Sequence, residues 1–208
     1  MRIAVIGTGN VGGTLGLGWA RAGHEVVFGS RDPNGSEVMR LLKGNNNTTA
    51  SPVSEVAKHA EVIALAVPWS AVPNIVSEIG AELRGKVLID CTNPAKQRLT
   101  MDHSAGSGGE QVAQLLPGTK VVKAFNTTGF ENMQNPKYPD GAVTMFYAGD
   151  DADAKKTVHA LARELGFDPV DAGGLPQSHT LETLASLWGS LAYGQKMGRG
   201  IAFRLIRR

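Results

Sequence analysis

Hydrophobic and polar positions follow two rhythms along this chain, and the switches between them mark its elements. Arg2 to Ile6 reads as a short β-branched strand closed by glycine. Val11, Leu15, Trp19 and Ala22 then recur at three- and four-residue steps, which predicts an amphipathic helix. A second strand follows at His24 to Gly29, then a loop of turn residues from Asp32 to Ser36. Glu37 to Lys43 predicts one or two helical turns, Gly44 to Asn47 a break, and Thr48 to Ala50 a very short strand. Ser51 as a cap with Pro52 in the first position predicts a helix to about His59. Glu61 to Val67 is an apolar run suited to a buried parallel strand, ended by Pro68-Trp69-Ser70. Ala71 to Leu83 reads as a helix and Lys86 to Asp90 as a strand.

Residues 95–108 carry little pattern, and the run Ser104 to Gly109 predicts a mobile surface loop. Glu110 to Leu116 reads as a helix, and Thr119 to Phe125 and Val143 to Ala148 as strands. The acid-bearing stretch Gly149 to Asp153 predicts the start of a helix running to Leu165, and Asp168 to Asp171 a last short strand. This short-spaced alternation predicts an α/β fold, a doubly wound and mostly parallel sheet. Ser178 to Tyr193 reads as a mostly apolar helix, which must cover the sheet, pack on a second copy, or both. Lys196 to Gly200 is a glycine-rich turn, and Ile201 to Ile206 closes the chain. The expected division is residues 1–172 for the sheet domain and 173–208 for a small C-terminal helical region.

Between the first strand and the first helix, Gly7, Gly9 and Gly12 fall at the G-x-G-x-x-G spacing of a dinucleotide-binding loop. Gly7 suits the tight turn, Gly9 the approach of a pyrophosphate, and Gly12 close packing of helix on strand. Thr8, Asn10 and Val11 complete the loop, and the helix start offers amide groups to the anion. About 20 residues on, where an NAD-binding chain places an acid on the ribose, stand Gly29-Ser30-Arg31. A hydroxyl and a guanidinium hold a 2′-phosphate, so the expected cofactor is NADP rather than NAD. Asp32 is the competing NAD-type acid if the second strand runs longer.

Composition narrows the class. The chain has 208 residues, 42% hydrophobic and 19% charged, with a net charge of +2, which gives no case for nucleic acid or membrane partners. Cys91 is the only cysteine, so no internal disulfide is possible and a reducing, cytoplasmic setting fits. No apolar run approaches the roughly 18 residues of a membrane span. Residues 1–7 already read as strand, so no signal peptide is expected.

In such sheets ligands bind outside the carboxyl ends of the strands. Those ends include Val67 to Trp69, of which Pro68 and Trp69 can wall the nicotinamide side, with Asn93, Ala124, Asn126 and Thr128 nearby and the two asparagines able to offer amide hydrogen bonds. No metal-ligand spacing appears, and no side chain stands out as a catalytic acid or nucleophile. Of the histidines only His179, beside Gly173-Gly174, has an approach to the crevice. That suits hydride transfer, in which orientation and electrostatics carry the work. A reductase of a small imine or keto acid, or a non-catalytic NADP-binding sensor, are the alternatives.

The motifs Gly7-Thr-Gly-Asn-Val-Gly12, Gly29-Ser-Arg31, Ala66-Val-Pro-Trp69, Val121-Val-Lys-Ala-Phe-Asn126 and Gly198-Arg-Gly-Ile-Ala-Phe203 together resemble the NADPH-dependent reductases of coenzyme F420, a deazaflavin. The resemblance spans essentially the whole chain. It implies Thr8, Ser30 and Arg31 at the 2′-phosphate and a nicotinamide face near Val67, Pro68 and Asn126 to Thr128. It also implies a deazaflavin or flavin-like small-molecule acceptor stacked there, with hydride passing between C4 of NADPH and C5 of the deazaflavin. The C-terminal helical part would complete that pocket and form a homodimer. The chain departs from the archaeal members at Asn126, where they carry histidine. The cofactor module is also similar to the cytosolic domain of membrane ferric reductases.

Overall fold

The computed structural model describes residues 1–97 and 100–208. Its strands are β1 (Arg2–Ile6), β2 (Glu25–Ser30), β3 (Thr48–Pro52), β4 (Val62–Leu65), β5 (Val87–Asp90), β6 (Ala95–Gln97), β7 (Thr100–Met101), β8 (Lys120–Lys123), β9 (Lys137–Tyr138), β10 (Gly141–Ala142), β11 (Thr144–Gly149) and β12 (Asp168–Asp171). The helices are α1 (Asn10–Arg21), α2 (Ser36–Leu42), α3 (Val53–Val56), α4 (Val72–Ile79), α5 (Gly108–Leu115), α6 (Phe130–Gln134), α7 (Ala152–Glu164) and α8 (Ser178–Gly189). Among the described residues the main sheet has eight strands, in the order β12-β11-β8-β5-β4-β1-β2-β3. From β8 to β3 every pairing is parallel, whereas β11 meets β8 antiparallel and carries β12 parallel to itself. This is the doubly wound, mostly parallel α/β sheet that the alternation predicts.

The period of two explains why the central strands are apolar throughout. Ile3 and Val5 of β1 enter one core with Leu15 and Trp19 of α1, while Ala4 and Ile6 enter the opposite core with Val56 of α3 and Val72 of α4. Val62 and Ala64 of β4 join the first core, and Ile63 and Leu65 the second. A strand covered on both faces has no position for a polar residue. Fully burying one such side chain stabilises by about 1.5–3 kcal/mol, so these strands anchor the loops at their carboxyl ends.

Four expectations need correction. Ser51 does not cap a helix: β3 continues through it, with Gly29 opposite Ser51 and Ser30 opposite Pro52, and α3 starts only at Val53. The proline is tolerated because β3 lies at the sheet edge. The helix expected over 71–83 is divided into a 3-10 turn (Trp69–Ala71), α4, and a second 3-10 turn (Gly80–Leu83). The stretch expected as an irregular loop over 95–108 includes an antiparallel hairpin of β6 and β7 and ends at a capping box on α5; residues 98 and 99 of that stretch lie outside the described residues. In that box Ser107 accepts from the Glu110 amide and the Glu110 carboxylate accepts from the Ser107 amide, so two groups at the helix start are satisfied together. Finally, α8 ends at Gly189 and the chain goes on through a π turn, Ser190–Gly194, instead of one helix to Tyr193.

Candidate functional site

The glycine loop divides its labour sharply. Gly7 has φ +111°, and a Cβ there would lie 2.2 Å from the Ala66 carbonyl oxygen. A Cβ at Gly12 would lie 1.9 Å from the Gly7 carbonyl oxygen. Both positions therefore serve the fold: they let α1 close on the loop and β1 lie against the β4 exit. Gly9 differs, because a Cβ there would meet nothing within 4 Å. It is the N-cap of α1, and no side chain caps that helix. The first-turn amides have no acceptor within the helix. Free amides and the helix dipole at such a terminus attract anions.

Thr8, Asn10 and Val11 line the rim of this loop; Val11 also borders the neighbouring pocket. Val67 lies against Gly7, with its Cγ1 3.2 Å from where a Cβ would be. Strand β2 ends at Ser30, with Arg31 exposed just beyond it. The Ser30 hydroxyl donates to the Asp32 carbonyl at 3.1 Å, and its oxygen is 3.2 Å from the Asp32 amide, forming a tight turn. The Asp32 carboxylate is folded back over Gly35, where a Cβ would lie 2.9 Å from Oδ2. The acid is thus turned toward the start of α2, while the hydroxyl and the guanidinium hold the strand end.

A cavity of about 200 Å³ opens beside the loop, bordered by Val11, Asn93, Asn126, Thr128, Trp188 and Arg199. The two asparagines lock together: Asn126 Nδ2 donates to Asn93 Oδ1 at 3.0 Å, and Asn93 Nδ2 donates to the Asn126 carbonyl at 3.1 Å. This arrangement leaves the buried Asn126 Oδ1 without a partner. A buried acceptor left unpaired is costly, about 1–3 kcal/mol, so this atom is open to a donor from outside the chain. Phe125 just before it adopts φ +60°, a left-handed conformation rare for an aromatic residue. Its ring is held edge-on between Trp19 (5.8 Å) and Phe167 (6.2 Å), which fixes the turn that presents Asn126.

Other expected residues lie elsewhere. Ala124 is fully buried in the core and does not border the cavity. Trp69 packs its ring near Gly108 and Pro68 is exposed; neither borders the cavity. His179 stacks on His103 with ring centroids 3.9 Å apart. Cys91 is buried, which pushes its thiol pKa up and leaves it inert.

On the far wall, Arg199 is held bidentate by Glu131, with Nη2 2.9 Å from Oε2 and Nε on Oε1, and it also donates to the Tyr193 hydroxyl. Its guanidinium lies over the rings of Phe130 (5.1 Å), Tyr193 (5.6 Å) and Trp188 (5.7 Å). Burial alone would raise the Glu131 carboxyl, but the contact with Arg199 outweighs it and holds the group below its usual 4.5. A carboxyl lowered in the fold stabilises above its ordinary value, and that contribution is lost as pH falls through the lowered one. Acid titration below pH 4.5 should therefore release Arg199 and change Trp188 emission. Glu131→Gln should lack that transition; an unchanged titration in the variant would disprove the assignment.

The feature that sequence reasoning missed lies behind the pocket. Lys123, fully buried, donates to Asp90 Oδ2 (2.9 Å), to the Thr92 carbonyl (2.6 Å) and to Glu182 Oε1 (2.7 Å). Asp90 Oδ1 accepts from the Thr92 amide and hydroxyl. Glu182 accepts from the Gly108 and Gly109 amides at the start of α5 and is 2.8 Å from His103 Nε2. Burial lowers the Lys123 pKa, but the two carboxylates outweigh that and raise it overall, so the ammonium stays charged. Its position at the end of an apolar strand was the one available signal.

Comparison with known proteins follows the same lines. The family described as NADP oxidoreductase coenzyme F420-dependent matches residues 2–94. An F420-dependent NADP reductase of Methanothermobacter marburgensis is 32% identical over 203 residues, covering 90% of this chain and 90% of that protein. Metalloreductase STEAP3 of Rattus norvegicus is 32% identical over 185 residues, covering 88% of this chain; the chain spans only 36% of that relative's length. A solved chain from Arthrobacter sp. fb24 matches over 99% of both chains at 30% identity, with a TM-score of 0.88.

Proposed function

Because this chain belongs to the family of F420-dependent NADP oxidoreductases, we propose that its glycine loop and asparagine-lined pocket hold NADP(H) and present it to coenzyme F420 or a flavin-like acceptor. It is an NADP-dependent oxidoreductase. The hydride chemistry is supplied by the bound cofactors, and the protein contributes binding, orientation and exclusion of water. The amides of α1 take the diphosphate, with Gly9 leaving it room. Thr8, Ser30 and Arg31 take the 2′-phosphate. The free Asn126 Oδ1 accepts from a carboxamide or a ribose hydroxyl, and Asn93 holds that amide in its orientation. Val67, which lies against Gly7, and Thr128, which borders the cavity, complete the nicotinamide side. Trp188, Tyr193 and Phe130 supply an apolar wall for a flat acceptor.

The observation that carries the cofactor half is the contrast within the loop: Gly7 and Gly12 are required by backbone contacts, and Gly9 is required by nothing inside the protein. In this reading residues 1–172 bind the cofactor, and 173–208 shape the acceptor pocket and a homodimer contact. The exposure of Leu187 (48%), Tyr193 (48%) and Met197 (59%) supports that contact. A cytoplasmic setting fits the lone buried cysteine. Among the described residues no helix is long and apolar enough to cross a membrane.

Mixing the protein with NADPH and either the deazaflavin or a flavin should consume NADPH absorbance; no loss with either would remove the reading. Arg31→Ala should weaken NADPH by about 1.5–3 kcal/mol, the worth of a charge-assisted contact, and leave NADH unchanged. Calorimetry with both dinucleotides decides, and equal losses would contradict the phosphate assignment.

A further inference from the structure

The buried cluster around Lys123 joins three parts of the molecule that the pocket needs in register. Asp90 ends β5 and Lys123 ends β8, side by side in the sheet. Through Thr92 the cluster fixes the backbone immediately before Asn93, and Lys123 itself lies three residues before Asn126. Glu182, by contrast, belongs to α8. Ala185, Trp188 and Gly189 of the same helix border the pocket on its far side. Ala185 and Gly189 stand three and seven residues beyond Glu182, on the same helix face. A rotation or slide of α8 about Glu182 would therefore move the acceptor wall directly.

All three ammonium hydrogens of Lys123 are used. The Glu182 carboxylate is ringed by Lys123, two amides and His103. Such a buried ionic junction is weak evidence for stability, because apolar residues of similar volume often serve as well. What it does supply is a single fixed geometry between elements that share few other polar contacts.

We propose that Glu182 is a positioning residue, which through Lys123 fixes the acceptor wall of α8 against the Asn93–Asn126 pair. The inference rests on the reading of that pocket as the place where cofactor and acceptor meet. Glu182 touches neither ligand. Its effect falls on their separation, and a misplacement of about 1 Å costs about 10²-fold in rate.

Glu182→Gln keeps the size and most of the hydrogen bonding but removes the charge that holds Lys123. It should bind NADPH as the native protein does, with KM for NADPH unchanged, while kcat falls by about 10²-fold. Amide hydrogen exchange gives the second readout. In the native protein NADPH should slow exchange in the glycine loop and in α8; in the variant the slowing should persist in the loop and vanish in α8. Native kcat, or faster exchange in α8 by the same factor with and without NADPH, would mean a structural role only and overturn the proposal. If Glu182→Gln does not fold, Glu182→Asp, which keeps the charge one methylene short, is read against the same outcomes. A native protein inactive with both acceptors would sink the acceptor reading, and the exchange result would still decide the coupling.

Discussion

Gly9→Val is expected to fold like the native protein and to lose its hold on NADPH. The new side chain would project into space where no protein atom lies within 4 Å, so the fold has nothing to resist it. Replacing the glycine N-cap by valine costs about 1 kcal/mol, so Tm should stay within about 4 °C. The same side chain would occupy the room that the diphosphate needs. Overpacking of that order costs about 3 kcal/mol, or roughly 100-fold in affinity. Gly12→Val makes the contrast. Its Cβ would sit 1.9 Å from the Gly7 carbonyl oxygen, and backbone cannot yield, so that variant should fail to fold. Thermal melts with NADPH titration separate the two; native affinity in Gly9→Val would refute the anion site.

Lys123→Ala should be the most damaging single change to stability outside the glycine loop. It leaves Asp90 and Glu182 buried with no cation between them, both with fully buried side chains. Breaking a buried pair in this way costs about 3–5 kcal/mol, a large part of the roughly 5–15 kcal/mol that holds a domain together. For a chain of this size Tm should fall by about 6–20 °C. The alkaline limb adds a signature. The Lys123 pKa is raised above its ordinary 10.5, so its contribution is complete below that value and fades as pH climbs through the higher one. The native protein should lose stability over that range, and Lys123→Ala should show no matching step. A variant melting within a few degrees of the native protein would show that the cluster carries no such weight.

How much of this could be read beforehand followed the range of the interactions. The Gly7-Gly9-Gly12 loop was legible because the positive φ of Gly7 and the Gly7–Gly12 contact lie within six residues, although the Ala66 carbonyl that also crowds Gly7 was out of local view. The strand run Glu61 to Val67 was legible because burial on both faces leaves only apolar positions. The Ser51 expectation failed because pairing with β2, more than 20 residues away, captured a backbone whose local signals favoured a helix. The Lys123 cluster was illegible for the same reason at longer range: Asp90 and Glu182 lie 33 and 59 residues from it, and nothing in Lys120-Val-Val-Lys123 announces a buried cation. Glu182 was hidden by its surroundings, a single acid in an apolar helix that pattern alone would place at the surface.

Trp188 extends the reach of the tail. Its indole borders the asparagine-lined cavity and also a second, apolar hollow lined by Tyr138, Met197 and Phe203, and its Nε1 donates to the Ile201 carbonyl at 2.7 Å. One rigid plane is thus a party wall between two chambers. Bulk added or removed beneath the tail will press on that plane, so the last dozen residues act as a shim that sets the width of the slot on its other side.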